Sequence, residues 1–148
     1  MSIPVEVEAF VAAQRVGRLA TVDAAGRPHV VPVCFVLERD TVYSVLDAKP
    51  KRVPVERLQR VRNLLANPNV QLLVDRYDED WTRLAFVQLR GRATLLLPGR
   101  EQAEAVRRLR EKYAQYESMK LDESPVVAIN VDEAVFWGDL ASGSNRSL

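Results

Sequence analysis

The chain has 148 residues, with 21 Lys and Arg against 20 Asp and Glu, so it carries a net charge of only +1, and 47% of it is hydrophobic. That length fits one domain with a sizeable core, and that balance excludes a disordered chain, which would need fewer aliphatics and more net charge. The single cysteine, Cys34, excludes an internal disulfide and fits a reducing compartment; no apolar run approaches the ~18 residues that span a bilayer, and Glu6 and Glu8 stand where a signal peptide would carry lysines, so the cytoplasm is expected.

In chain order, Ser2 is placed to cap a helix with Pro4 and Glu6 in its first turn. Val7, Phe10 and Val11 recur along it at helical spacing, and Gly17 offers a left-handed stop. Three antiparallel strands follow at 18–23, 28–38 and 41–47, punctuated by Asp23-Ala24-Ala25-Gly26 and Glu38-Arg39-Asp40. The middle one is apolar on both faces, with Val31, Val33, Phe35 and Leu37 on one and Val30, Pro32, Cys34 and Val36 on the other, which marks a central strand. Pro32 cannot donate to a ladder, so its position must be an edge, a bulge or a ligand-facing site. Cys34 reads as a buried small hydrophobe and His29 as a half-exposed strand residue.

Residues 49–62 then hold Lys49, Lys51, Arg52, Arg57, Arg60 and Arg62 against Glu56 alone, a net +5 that leaves −4 for the rest of the chain. Such a local positive pocket on a balanced protein suits a small phosphorylated ligand better than a long polyanion. A helix starting near Glu56 carries Leu58, Val61 and Leu65 on its apolar face, turns its arginines away from the core, and ends at Asn67-Pro68. Val70–Val74 is a fourth strand, and Asp75–Asp80 an acidic loop before Trp81. A long fifth strand runs from Leu84 to Leu97 with Gly91 as a candidate bulge. A helix over 100–117 buries Val106, Leu109, Tyr113 and Tyr116 and pairs Glu104 with Arg108. Val126–Val131 is a sixth strand, followed by Phe136-Trp137-Gly138 and a polar tail over 141–148 that is expected to fray. Six short strands with few helices give a mainly β, α+β fold, a small closed or partly closed antiparallel barrel.

Counting sets several chemistries aside. One histidine and one cysteine supply no zinc ligand set, there is no Walker A or G-x-G-x-x-G loop, and no G-x-S-x-G turn presents a serine for which His29 would be the base. No catalytic residue is assigned, so in an enzyme of this kind a cofactor carries the reaction and the protein binds and orients it. Nucleic-acid binding through the basic helix is disfavoured, because the cations lie in one window without interleaved aromatics.

The order of R-L-A-T-V-D-A-A-G-R-P-H-V-V-P-V, T-V-Y-S-V-L-D-A-K-P-K-R and R-V-R-N-L-L-A-N-P-N-V, a long strand ending Arg90-Gly91-Arg92-Ala93, and a terminal Phe136-Trp137-Gly138 resembles the pyridoxamine 5'-phosphate oxidase-like split-barrel flavoproteins. The Asp80-Trp81 element and the extended basic loop most resemble the branch assigned to the deazaflavin coenzyme F-420. The resemblance covers residues 5–140. It implies a six-stranded antiparallel split barrel, obligately dimeric, with two flavin-type cofactors in grooves between subunits. The ring would lie along the second and third strands at Val31, Pro32, Val33 and Ser44. The phosphate would meet Lys49, Lys51, Arg52, Arg60 and Arg62, with Arg57 in an insertion that lengthens the basic loop, and Trp137 matches an aromatic near the ring. The implied activity is hydride transfer between F-420 and a small substrate, with FMN as the alternative cofactor and a non-enzymatic cofactor or haem carrier as the alternative role. Residues typical of the pyridoxamine phosphate substrate site are not recognisable. Neither a metal, a nucleic acid nor a membrane is implied as a partner.

Overall fold

The computed structural model describes residues 3–46 and 58–141. Seven strands, β1 (Gly17–Val22), β2 (Pro28–Val33), β3 (Val36–Glu38), β4 (Thr41–Val45), β5 (Asn69–Arg76), β6 (Ala85–Leu96) and β7 (Val126–Gly138), form one antiparallel sheet in the order β2-β1-β5-β6-β7-β4-β3. Three helices, α1 (Val5–Ala13), α2 (Gln59–Ala66) and α3 (Arg100–Lys112), pack around it.

Connectivity forces the sheet to curl. β2 and β3 are its two edges, yet only Cys34 and Phe35 join them. Two linking residues reach about 11 Å from Cα to Cα, whereas seven flat strands at ~4.8 Å spacing would separate the edges by about 29 Å. The result is a mainly β half-barrel with few helices, as expected in class, with seven strands in place of six.

The additional strand comes from dividing the expected 28–38 segment. Its side chains alternate throughout, but its partners change: Pro28–Val33 pairs with β1, and Val36–Glu38 pairs with β4. The segment is therefore two edge strands and not one central strand. Pro32, opposite Arg18 and without a second neighbouring strand, sits where a missing N–H is tolerated. Its outer neighbour Val30 is 60% exposed.

Val7, Phe10 and Val11 of α1 close one end of the barrel core with Leu19, Phe35, Val42, Leu72, Val87, Leu89 and Ile129. Gly17 does not stop α1; it opens β1, where a side chain would press on Leu72. A second apolar cluster lies beneath α3, where Val106 and Leu109 meet Val45, Tyr113, Tyr116 and Val126. The bulge expected at Gly91 is present: Arg90 faces Glu133 and Gly91 faces Val131, so Asp132 is the extra residue. α3 ends at Lys112, and a separate 3-10 turn, Ala114–Ser118, carries Tyr116. The last strand also extends well past Val131, so Phe136 and Trp137 belong to β7 and pair with Val87 and Phe86.

Candidate functional site

The crossing from β2 to β3 leaves a groove of about 230 Å³ lined by Val16, Pro32, Val33, Cys34, Ser44, Val45, Arg60 and Tyr116. Four residues expected to bind a cofactor, Pro32, Val33, Ser44 and Arg60, thus meet in one concavity. Each arrives from a different constraint. Pro32 and Val33 end β2 at the sheet edge, Ser44 is 6% exposed on β4, and Arg60 stands on the first turn of α2. The Ser44 hydroxyl donates to the Cys34 carbonyl at 2.8 Å, which ties the two sides of the groove together.

A buried polar contact places α2, and with it Arg60. Asn63 is 2% exposed; its amide donates to the Thr21 hydroxyl at 2.9 Å, and its side-chain oxygen accepts from Gln59 at 2.6 Å. With Val61 and Leu64 also facing the core, Arg60 is left half-buried at the groove and Arg62 is turned outward to solvent. Leu65, expected on the apolar face, is 65% exposed, because the helical phase buries Leu64 instead. Residues two apart on a helix point about 200° away from each other, so Arg60 and Arg62 do not address one ligand group together.

The opposite end of the groove is fixed from α3. Tyr113 presents its hydroxyl to Phe35, accepting from the amide at 3.1 Å, with the carbonyls of Arg15 and Phe35 at 2.9 and 3.1 Å for its one proton. Burial raises the pKa of this phenol above the ordinary tyrosine value. Beside it, the Lys112 ammonium lies 3.8 Å from the centre of the fully buried Phe35 ring and finds no hydrogen-bond acceptor among the described residues. Burial, reinforced by Arg15, pushes the Lys112 amine down to about 8.

The other expected residues lie elsewhere. Val31 is on β2 but packs inward against the barrel core. Trp137 is 55% exposed and stacks on Phe86, centroids 6.0 Å apart, and does not line the groove. Lys49, Lys51, Arg52 and Arg57 lie outside the described residues. Cys34 is half-buried and lines the groove, so it is not the fully buried hydrophobe expected. Val16, Val45 and Tyr116 are groove residues that no local pattern announced. His29 is half-buried opposite Thr21 on β2 and does not line the groove. A larger concavity of about 520 Å³ lies between α1 and Leu140, and it gathers none of the expected residues. Among the described residues no cluster of three or more His, Cys, Asp or Glu side chains is placed to hold a metal, and no helix is long and apolar enough to cross a membrane.

A family model described as pyridoxamine 5'-phosphate oxidase matches residues 3–138. The chain belongs to this family. A search of the curated proteins finds no match. Among solved structures, a conserved hypothetical protein from Mycobacterium tuberculosis superposes with a TM-score of 0.75 at 19% identity, covering 92% of this chain and 84% of the other. A heme binding protein from Mycobacterium smegmatis gives 0.72 at 22% identity, covering 95% of this chain and 54% of the other, so this family member spans about half of that protein. An FAD-binding protein from Mesorhizobium loti gives 0.66 at 21% identity, covering 92% and 95%. At these identities the likeness is one of fold, and it agrees with the curled antiparallel sheet.

Proposed function

We propose that the protein is an oxidoreductase that binds a flavin-type cofactor, F-420 in preference to FMN, in the groove beside the β2–β3 crossing, and that two copies complete each groove. The observation that carries this is the convergence of Pro32, Val33, Ser44 and Arg60 on one concavity at a sheet edge. The donor set fits such a group. An edge strand has main-chain groups with no ladder partner, suited to the polar edge of a flat ring, and Arg60 supplies a charge-assisted contact for a phosphate. The cofactor would supply hydride transfer to a small electrophile; the chain's residues bind and orient it.

Two arguments support completion by a second copy. A groove of about 230 Å³ is below the ~300–1,000 Å³ usual for ligand pockets, so one described chain forms only part of a wall. The outer face of the sheet also carries Val30, Ala20, Pro32, Leu73, Val135, Phe86 and Trp137 in neighbouring register positions, interrupted by Gln71, Gln88 and the Arg18–Asp75 and Arg90–Glu133 ion pairs. That face is more apolar than an unpartnered sheet normally leaves to water. In a dimer built on it, the exposed Trp137 of one copy is available to the groove of the other.

F-420 is preferred because of charge. FMN ends in a single phosphate, which two or three cations neutralise, whereas F-420 continues through a phosphodiester into a tail of carboxylates. Six cations within residues 49–62 suit the longer anion, and of the two that are described, Arg60 reaches the groove. A carrier role, including haem, is the second reading, favoured by the haem-binding fold neighbour from M. smegmatis. His29, the chain's one histidine, lies off the groove, which weakens it. The absorption spectrum of freshly purified protein, with mass spectrometry of what it releases on denaturation, tests these readings. A deazaflavin or flavin spectrum supports the proposal; a Soret band replaces it with the haem reading.

A further inference from the structure

A continuous α3 would carry Tyr116 along the stripe that begins with Val106. Instead the chain leaves the helix after Lys112 and turns through Ala114–Ser118. That turn is held from both sides. Tyr113 is bonded to the Phe35 main chain, and Arg110 donates from Nε to the Tyr116 carbonyl at 3.2 Å and from Nη2 to the Met119 carbonyl at 2.9 Å. Tyr116 is thereby packed edge-on against Tyr113, centroids 5.6 Å apart at 65°, with 6% of its surface exposed, and it lines the groove beside Cys34 and Ser44.

We infer that Tyr116 is a specificity-determining residue of the groove, the aromatic wall against which a planar heteroaromatic ring packs. This rests on the reading of the groove as a cofactor site. With Arg60 assigned to the phosphate and the Ser44 hydroxyl committed to the Cys34 carbonyl, the part of the groove left for the ring is mainly apolar. Its selectivity therefore comes from shape and from ring contact. Pro32, Val33, Val16 and Val45 supply apolar surface, and Tyr116 supplies the one aromatic side chain among its described lining residues. Because the turn is clamped before any ligand arrives, little side-chain entropy is lost when a ring settles against it. A tyrosine that only filled the cluster beneath α3 would change stability when altered and leave ring recognition untouched.

The test uses the full chain, with FMN as probe, in wild type, Tyr116→Phe and Tyr116→Leu. Tyr116→Leu is expected to weaken FMN by about tenfold, the scale of losing one aromatic contact to a heterocycle. Tyr116→Phe is expected to keep affinity within about threefold, since it keeps the ring. In a Trp137→Phe background, where no indole can quench it, the fluorescence of bound flavin should rise when Tyr116→Phe is added, because the phenol can donate an electron to the ring and the phenyl group cannot. FMN should also protect Cys34, the chain's one thiol, from alkylation by iodoacetamide in both wild type and Tyr116→Phe. Unchanged flavin fluorescence on adding Tyr116→Phe in that background overturns the inference, whether or not Tyr116→Leu folds; so does wild-type affinity in a folded Tyr116→Leu. If wild type binds neither FMN nor F-420, the reading of the groove itself fails, and the role of Tyr116 with it.

Discussion

At the scale of single residues, Lys112 accepts unfavourable surroundings near the β2–β3 crossing. Lys112 keeps its ammonium over Phe35 and Tyr113, at 3.8 and 5.3 Å from the ring centres, where ring faces partly replace water. Its amine titrates near 8, below the ordinary lysine value of 10.5, so the unfolded chain binds more protons than the native one between those limits. The destabilising contribution of Lys112 is therefore complete below about pH 8 and is relieved as pH rises toward 10.5. Stability of wild type relative to Lys112→Met, from urea denaturation, should increase between pH 8 and pH 10. A difference that stays flat across that range would mean that Lys112 is solvated as an ordinary surface lysine. None of this was legible in the sequence, because a lysine closing a charged helix looks like solvent-exposed surface until Phe35 is placed beneath it.

At the scale of elements, hydrophobic alternation located nearly every strand, since inward and outward positions follow the pleat whichever strand lies alongside. For the same reason alternation could not show where partners change. Val31, Val33, Phe35 and Leu37 keep one rhythm across the crossing from β2 to β3, although the ladder passes from β1 to β4. Pro32 carried the available hint, as a residue compatible with an edge. The α2 helix shows a second limit: Asn63 is buried because Thr21 and Gln59 satisfy its amide, and no helical pattern foretells that a polar residue will face the core. Gly91 was legible as a bulge, and the structure gives the reason: a methyl group there would collide with the Asn130 carbonyl. Gly91→Ala should lower stability by about 2 kcal/mol or more, as an overpacked site without room to relax, measured by chemical denaturation. A change within about 0.5 kcal/mol would show that β7 shifts freely at Asp132.

At the scale of the whole molecule, the sheet divides its duties. Its inner face and α1 make the core, α3 covers β4 and the start of β7, and the outer face of β2, β1, β5, β6 and the end of β7 carries apolar side chains among the Arg18–Asp75 and Arg90–Glu133 pairs, with no helix over it among the described residues. Light scattering at micromolar concentration should give twice the 16.7 kDa chain mass. A monomer would remove the shared groove, and with it the route by which Trp137 reaches a ring. The family was legible only through the order of segments, since no single motif in the chain names it. The most direct measurement is titration of the purified protein with F-420 and with FMN across a salt series, in wild type and in Arg60→Ala. The predicted result is tighter binding of F-420 at low salt, a steeper loss with added salt than for FMN, and a weakening of about 1–3 kcal/mol for both in Arg60→Ala. Tighter binding of FMN throughout would contradict the choice of cofactor, and wild-type affinities in Arg60→Ala would contradict the groove as the place where either one binds.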